Sequence, residues 1–303
     1  MILGDLAVTE LKNRLSGSGL VLRTGPFISK IQTRSPELIE GLRLLYRESS
    51  IVESAAFVDF YVGVDKKRGL RRWIHPQINF YFDGKAPFNP FPAGQALPLF
   101  EWGLNWSITQ HAHQYLIIHA AVVEKDGRAV IMPAPPGSGK STLCAGLVNN
   151  GWRLLSDELT LLSLADGLVI PLARPVGLKN ESIDVIRRFA PQAVISPVTS
   201  DTHKGSVAMM KPPADSALRM GESAQPAWVV FPKYCAGEAA KLTPHSKAKA
   251  CLSLGENAFN YSIHGADGFR LLTRVLDRCA CYDFSYGRLS DAVEVFSQLQ
   301  APS

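Results

Sequence analysis

The stretch RAVIMPAPPGSGKSTLCAGLV, residues 128–148, decides the fold. Residues 128–134 form a short apolar run of the kind that makes a buried strand. After the glycines, Leu143, Leu147 and Val148 line one face of a helix that Asn149-Asn150-Gly151 ends. Between them, Ala134 to Ser141 meets the pattern G-x-x-x-x-G-K-[ST], except that Ala134 stands where glycine is commonest. Each residue type has a physical reason. Gly137 and Gly139 permit positive φ, so backbone N–H groups can approach phosphate oxygens. A helix begun at Lys140 points its positive end at an anion. Lys140 can bridge the β- and γ-phosphates of a nucleotide, and Ser141 can ligate Mg2+. Pro136, Gly137, Ser138, Gly139, Lys140, Ser141 and Thr142 are the expected nucleotide contacts. A pattern this short also arises by chance in turns. The strand before it and the amphipathic helix after it are the context the motif requires.

Outward from the loop, YLIIHAAVV (115–123) is a second apolar run, joined to the loop strand through Lys125-Asp126-Gly127, and the two are expected to pair. It contains His119. A lone histidine in a buried strand is commonly a satisfied core residue, but pairing would bring His119 toward the loop and toward Asp157, whose basicity it could tune. Downstream, WRLLSDELTLLSL (152–164) reads as strand, acid pair, strand. Asp157 and Glu158 follow Lys140 by only 17 residues. Adjacent acids at a strand end put one side chain on each face, so one can hold a metal while the other accepts a proton from a substrate hydroxyl. A solvated pair of loop acids is the bland alternative.

The rest of the chain sets bounds. Length 303 argues for about two domains, and 46% hydrophobic with 19% charged residues supplies a core without staples. Lys+Arg 32 against Asp+Glu 27 leaves a mild net charge of +5, scattered rather than striped, so no nucleic-acid partner is expected. No run reaches 18 apolar residues and the N-terminus lacks a signal-like pattern, so no membrane association and a cytoplasmic setting are expected. Five cysteines without C-x-x-C spacing read as structural thiols. Strand and helix signals fill residues 1–110: a helix over 3–15, strands in 20–33, a helix started at Ser35-Pro36, strands at 55–64 and 78–84, a Pro-rich connector over 86–98 and an apolar helix over 97–110. The boundary is expected near residue 110, giving domains 1–110 and 111–303.

Taken together, His119-Ala120-Ala121-Val122-Val123, the glycine loop and Trp152-Arg153-Leu154-Leu155-Ser156-Asp157-Glu158 resemble the catalytic domain of HPr kinase/phosphorylase, at the same separations, over roughly residues 115–185. More narrowly, most of the chain resembles the HprK-related kinase A family, including Leu178-Lys179-Asn180-Glu181-Ser182 and Thr202-His203-Lys204-Gly205. The resemblance implies an α/β fold, a P-loop catalytic domain of the HPr-kinase/PEP-carboxykinase-like kind with a smaller N-terminal α+β accessory domain. It implies ATP and Mg2+ as cofactors. It makes Asp157 the general base on a Ser/Thr hydroxyl, His119 its support, Lys140 and Ser141 the phosphate and magnesium positions, and Glu158 a group near the metal. Three features depart from the HPr kinase pattern: the second acid is Glu158, Ala120 follows the histidine, and the arginine signature after the acid strand is absent. A peptide or small-protein acceptor is implied, together with a PqqD-type partner. The alternatives are a small-molecule kinase and a nucleotide-sensing module without transfer.

Three further groups are weaker candidates. Lys179 and Asn180 follow a strand-like stretch and can contact phosphate or peptide, although Asn180 also suits a helix cap. Residues 196–213 read as a polar loop of lid length, in which Lys204 can neutralise transferred phosphate. The His111 and His113 pair lacks further metal ligands at useful spacing, and His75, His245 and His264 carry no readable role.

Overall fold

A computed structural model describes residues 1–54, 57–66 and 76–300. Ala55 and Ala56, which open the strand expected at 55–64, and His75 lie outside the described residues. The elements of the first third are α1 (Val8–Ser16), β1 (Leu20–Thr24), β2 (Phe27–Thr33), α2 (Pro36–Leu45), β3 (Phe60–Lys66), β4 (Gln77–Phe82), β5 (Phe91–Pro92) and α3 (Ala96–His111). Next come β6 (Tyr115–Lys125), β7 (Arg128–Pro133), α4 (Lys140–Val148), β8 (Arg153–Ser156), β9 (Leu159–Ser163), β10 (Val169–Ile170), β11 (Val176–Lys179) and α5 (Glu181–Phe189). The remainder holds β12 (Thr199–Thr202), β13 (Gly205–Met210), α6 (Ala214–Leu218), β14 (Gln225–Tyr234), β15 (Lys241–Pro244), α7 (Lys247–Glu256), α8 (Tyr261–His264), α9 (Ala266–Asp277), β16 (Ala280–Tyr286) and α10 (Leu289–Ser297). The protein is therefore mixed α/β.

Two compact units result. One comprises Met1–His111 and Val194–Lys211, the other Ala112–Ala193 and Pro212–Ser303. Residues 194–211, placed in the second domain on sequence, group with the first unit. Within the first unit, β1 to β5 form a sheet in chain order, antiparallel except where β2 and β3 run parallel. Ser35 starts α2 as expected, its hydroxyl accepting from the Leu38 N–H at 3.4 Å with Pro36 in the first turn. The helix expected over 3–15 is broken. Leu3–Asp5 is a single 3-10 turn whose Leu3 and Gly4 N–H groups bond Ser49 and Arg47 carbonyls, and α1 begins only at Val8. The open loop expected at 196–213 is also corrected. It is the hairpin β12–β13, turned at His203-Lys204, with the Thr202 hydroxyl donating to the Gly205 carbonyl at 2.6 Å. Gly205 adopts φ +81°, and Val207 to Met210 are buried.

The second unit is built on an eight-stranded sheet, ordered β10-β9-β6-β7-β14-β16-β15, with β8 also on β6. β6 and β7 pair antiparallel, as their sequences predict, through a turn at Asp126-Gly127 with φ of 52° and 77°. β7, β14 and β16 run parallel; β7 and the centre of β14 are buried almost throughout, which accounts for their apolar runs, while β16 alternates buried and more open positions. One face of the sheet packs Leu116, Ile118, Ala120, Val122, Ile131 and Val229 against Ala250, Leu254, Leu271, Leu272 and Val275 of α7 and α9. A buried ion pair, Arg153 with Glu124, joins β8 to β6, and the same guanidinium donates to the carbonyls of Arg219 and Glu222 at 2.9 Å each. No described helix is long and apolar enough to cross a membrane.

Candidate functional site

β7 ends at Pro133, and the chain turns through Ala134–Gly139 into α4. Gly137 and Gly139 hold φ of +85° and +87°, values that a side chain would oppose. At Gly139 space forbids one as well: a Cβ would meet the Tyr286 hydroxyl at 2.4 Å and Tyr234 Cβ at 2.9 Å. That crowding comes from the ends of β14 and β16. The Tyr286 hydroxyl donates to the Gly139 carbonyl at 3.0 Å, and the Tyr234 N–H donates to the Ser138 carbonyl at 2.9 Å. Tyr286 is 1% exposed and stacks on Phe284 at 5.4 Å. The loop is thus clamped through the Ser138 and Gly139 carbonyls, while the Ser138 N–H turns back to the Pro135 carbonyl at 3.3 Å and the first N–H groups of α4 have no partner within the helix.

Asp157 and Glu158 occupy the two-residue corner between β8 and β9, the strand, acid pair, strand order expected from the sequence. Asp157 is 4% exposed; Glu158 is half-buried. The Asp157 Oδ2 accepts the Gly177 N–H at 3.0 Å, from β11. Burial, then the neighbouring Glu158, push the Asp157 carboxyl up to about 6, against the pull of Lys140, the Gly177 N–H and the Ser141 hydroxyl. Lys140 is 7% exposed, and burial holds its ammonium below the usual lysine range, partly offset by Asp157 and Glu158 and reinforced by Lys179. Asp157, Glu158, Lys140, Ser141 and Lys179 therefore share one electrostatic neighbourhood.

Its polar groups are incompletely satisfied. Among the described residues seven buried side-chain N or O atoms lack a hydrogen-bond partner, and three are here: Ser138 Oγ, Lys140 Nζ and Asp157 Oδ1. An unpaired buried donor or acceptor costs about 1–3 kcal/mol, more when charged. Three of them around one loop form a site shaped for a polar ligand. An anion on the loop would satisfy Lys140 and the backbone donors. No group of three or more His, Cys, Asp or Glu able to hold a metal occurs among the described residues. Mg2+ does not require one, since it is commonly held by one or two carboxylates plus phosphate oxygens and water. Ser141 with Asp157 or Glu158 fits that role.

The other sequence candidates fall as follows. His119 lies where β6 changes partner: Ala120 pairs with Pro133 of β7, while the His119 N–H donates to the Asn257 carbonyl at 2.8 Å and its ring lies 5.9 Å from Phe259. Asn180 occupies the cap position of α5 at φ 50°, without a side-chain cap bond; Ser182 instead bridges the Lys179 N–H and carbonyl at 2.7 Å each. Lys204 belongs to the first unit, with its ammonium 4.9 Å above the Trp102 ring. His111 stacks on Phe82 at 4.7 Å. Thr142 is half-buried in the first turn of α4. Sequence reasoning missed the Gly177 N–H, Tyr234 and Tyr286. Cys144, read from the sequence as a structural thiol, is fully buried one turn beyond Lys140, its thiol raised by burial and by Asp157.

Fold and site together define a mixed α/β protein in which a clamped glycine loop and a buried carboxylate face each other across the start of one helix. A family model described as the SynChlorMet cassette protein ScmC matches residues 102–169, the span from within α3 through the loop and the acid pair to the start of β10. That is under a quarter of the chain. No curated protein matches it.

Proposed function

We propose that this chain is an ATP-dependent phosphotransferase with a P-loop catalytic domain of the HPr-kinase/PEP-carboxykinase-like kind, acting on a Ser/Thr hydroxyl of a peptide or small protein in the cytoplasm. The observation that carries the reading is the convergence of three unpartnered buried polar atoms, on Ser138, Lys140 and Asp157, around a glycine loop that leads into the N-terminus of α4. Lys140 and the amides of 137–142 hold the β- and γ-phosphates and neutralise developing charge. Ser141 with Glu158 would hold Mg2+, which would supply positive charge against the charge that develops on the phosphates. Asp157, near 6 and ionised at neutral pH, accepts the proton of the attacking hydroxyl. Lys179 adds positive charge on the same side. The word cassette in the description of the matching family directs the search for the acceptor, and for a PqqD-type partner, to co-encoded proteins.

Labelled ATP, incubated with the chain and the products of neighbouring genes, should label a Ser or Thr of one of them, located by mass mapping. Asp157→Asn should lower transfer by about 10²–10⁴-fold while ATP still binds. Transfer by Asp157→Asn at the wild-type rate would remove the base assignment. ATP binding without transfer to any acceptor in either protein would favour a nucleotide-sensing module.

A further inference from the structure

The acids and the loop leave one half of a nucleotide unplaced. Asp157 and Glu158 lie off the β6 edge of β7, in the corner between β8 and β9. Off the opposite edge, β14 and β16 run parallel to β7 and finish beside the glycine loop. Ligands of parallel sheets lie outside the carboxyl ends of the strands. With phosphates on the loop and the metal side toward the acids, the nucleoside end extends over the ends of β14 and β16.

Tyr234 is the last residue of β14 and is 50% exposed. An exposed tyrosine is ordinary in itself, but this one is fixed against the loop. Its N–H bonds the Ser138 carbonyl, and its Cβ closes the space over Gly139. Its ring meets that of buried Tyr286 edge-on, with centroids 5.7 Å apart at 68°. The backbone that follows is equally held. The Cys235 N–H donates to the Tyr286 carbonyl at 2.9 Å and the Glu238 N–H to the Cys235 carbonyl at 3.1 Å. Gly287 lies so close beneath that a Cβ there would meet Glu238 backbone at 2.6 Å. The result is a preorganised aromatic surface next to a loop built for phosphate, with its ring partly open to solvent.

We propose that Tyr234 is the platform on which the base of the phosphoryl donor stacks, so that the donor is a nucleoside triphosphate and not pyrophosphate or another inorganic polyphosphate. The proposal rests on the phosphate reading of the loop, and the experiment separates the two. Wild type, Tyr234→Ala and Tyr234→Phe are titrated calorimetrically with ATP and with inorganic tripolyphosphate, after thermal melts show that all three fold. Stacking on an aromatic side chain is sensitive to alanine substitution, so Tyr234→Ala should weaken ATP binding about tenfold or more. Tripolyphosphate binding should stay within about twofold, and Tyr234→Phe, which keeps the ring, should bind ATP like wild type. Equal loss of both ligands in Tyr234→Ala, or no loss of ATP, overturns the platform and leaves the phosphate loop standing. Wild type that binds tripolyphosphate as well as ATP does the same. Wild type that binds neither ligand overturns the phosphate loop itself.

Discussion

At Asp157, stability and chemistry pull in opposite directions. The carboxyl is buried beside Glu158, and its pKa rises from 3.8 to about 6. A carboxyl raised in the folded state binds its proton more tightly there than in the unfolded chain. Its contribution to stability is therefore greatest below about pH 4, falls as pH rises to about 6, and stays low above that. Asp157→Asn removes the ionisation and keeps an oxygen for the Gly177 N–H. The variant should be more stable than wild type by up to about 3 kcal/mol at pH 7.5, and the difference should shrink toward zero near pH 4. Denaturant unfolding at the two pH values measures this; a variant less stable than wild type at pH 7.5 would show that burial is not what raises the carboxyl. The same ionisation sets the kinetics. As a base, Asp157 must be charged, so kcat/KM for transfer should rise through a limb near pH 6 and level above it. That Asp157 belongs to the neighbourhood of the glycine loop was expected from its spacing after Lys140 and from the resemblance to the HPr kinase pattern. The Gly177 N–H was not, because a backbone donor leaves no mark on residue type.

At the scale of elements, β8 is the piece that aims the acids, and it is tied on its far side. Arg153 pairs with Glu124 of β6 and caps two carbonyls at 219 and 222. Both charged groups are almost fully buried, at 3% and 2% exposure. Arg153→Leu would strand Glu124 and two carbonyls, and should cost about 3–5 kcal/mol. Replacing both partners with apolar residues should recover much of that, since the penalty lies in the orphaned charge. Urea melts of the single and double variants test the difference; equal losses would mean the pair is not coupled. Elements with long apolar runs, β6 and β7, were readable, as was α4 from its loop and its glycine stop. β12 and β13 were not. Thr199, Ser200, Asp201 and Thr202 carry no alternation, and only the Gly205 turn and the buried run 207–210 on the partner strand make them a hairpin. That β14 lies beside β7 was equally hidden, because nearly a hundred residues separate parallel neighbours, and with it went the tyrosines that clamp the loop.

For the whole molecule, every residue of the glycine loop, the acid corner and the tyrosine clamp falls in the unit made of Ala112–Ala193 and Pro212–Ser303. A ligand that binds only the folded form of that unit stabilises it by mass action, about 2.7 kcal/mol at a hundredfold excess over Kd. The gain has a local origin: a bound triphosphate satisfies Lys140 Nζ, which otherwise remains unpaired. Hydrogen exchange should therefore show protection rising at 137–144 and at the ends of β14 and β16 when ATP-Mg2+ is added, with slowed global opening of the second unit. Amides of β1 to β5 in the first unit should keep their rates. Lys140→Met should abolish the response. It should not destabilise the free protein, because it replaces a buried unpartnered ammonium, already depressed by burial, with an apolar chain of similar length. If Lys140→Met retained the full ATP-dependent protection, the lysine would not be the phosphate ligand and the glycine loop would lose its assigned role.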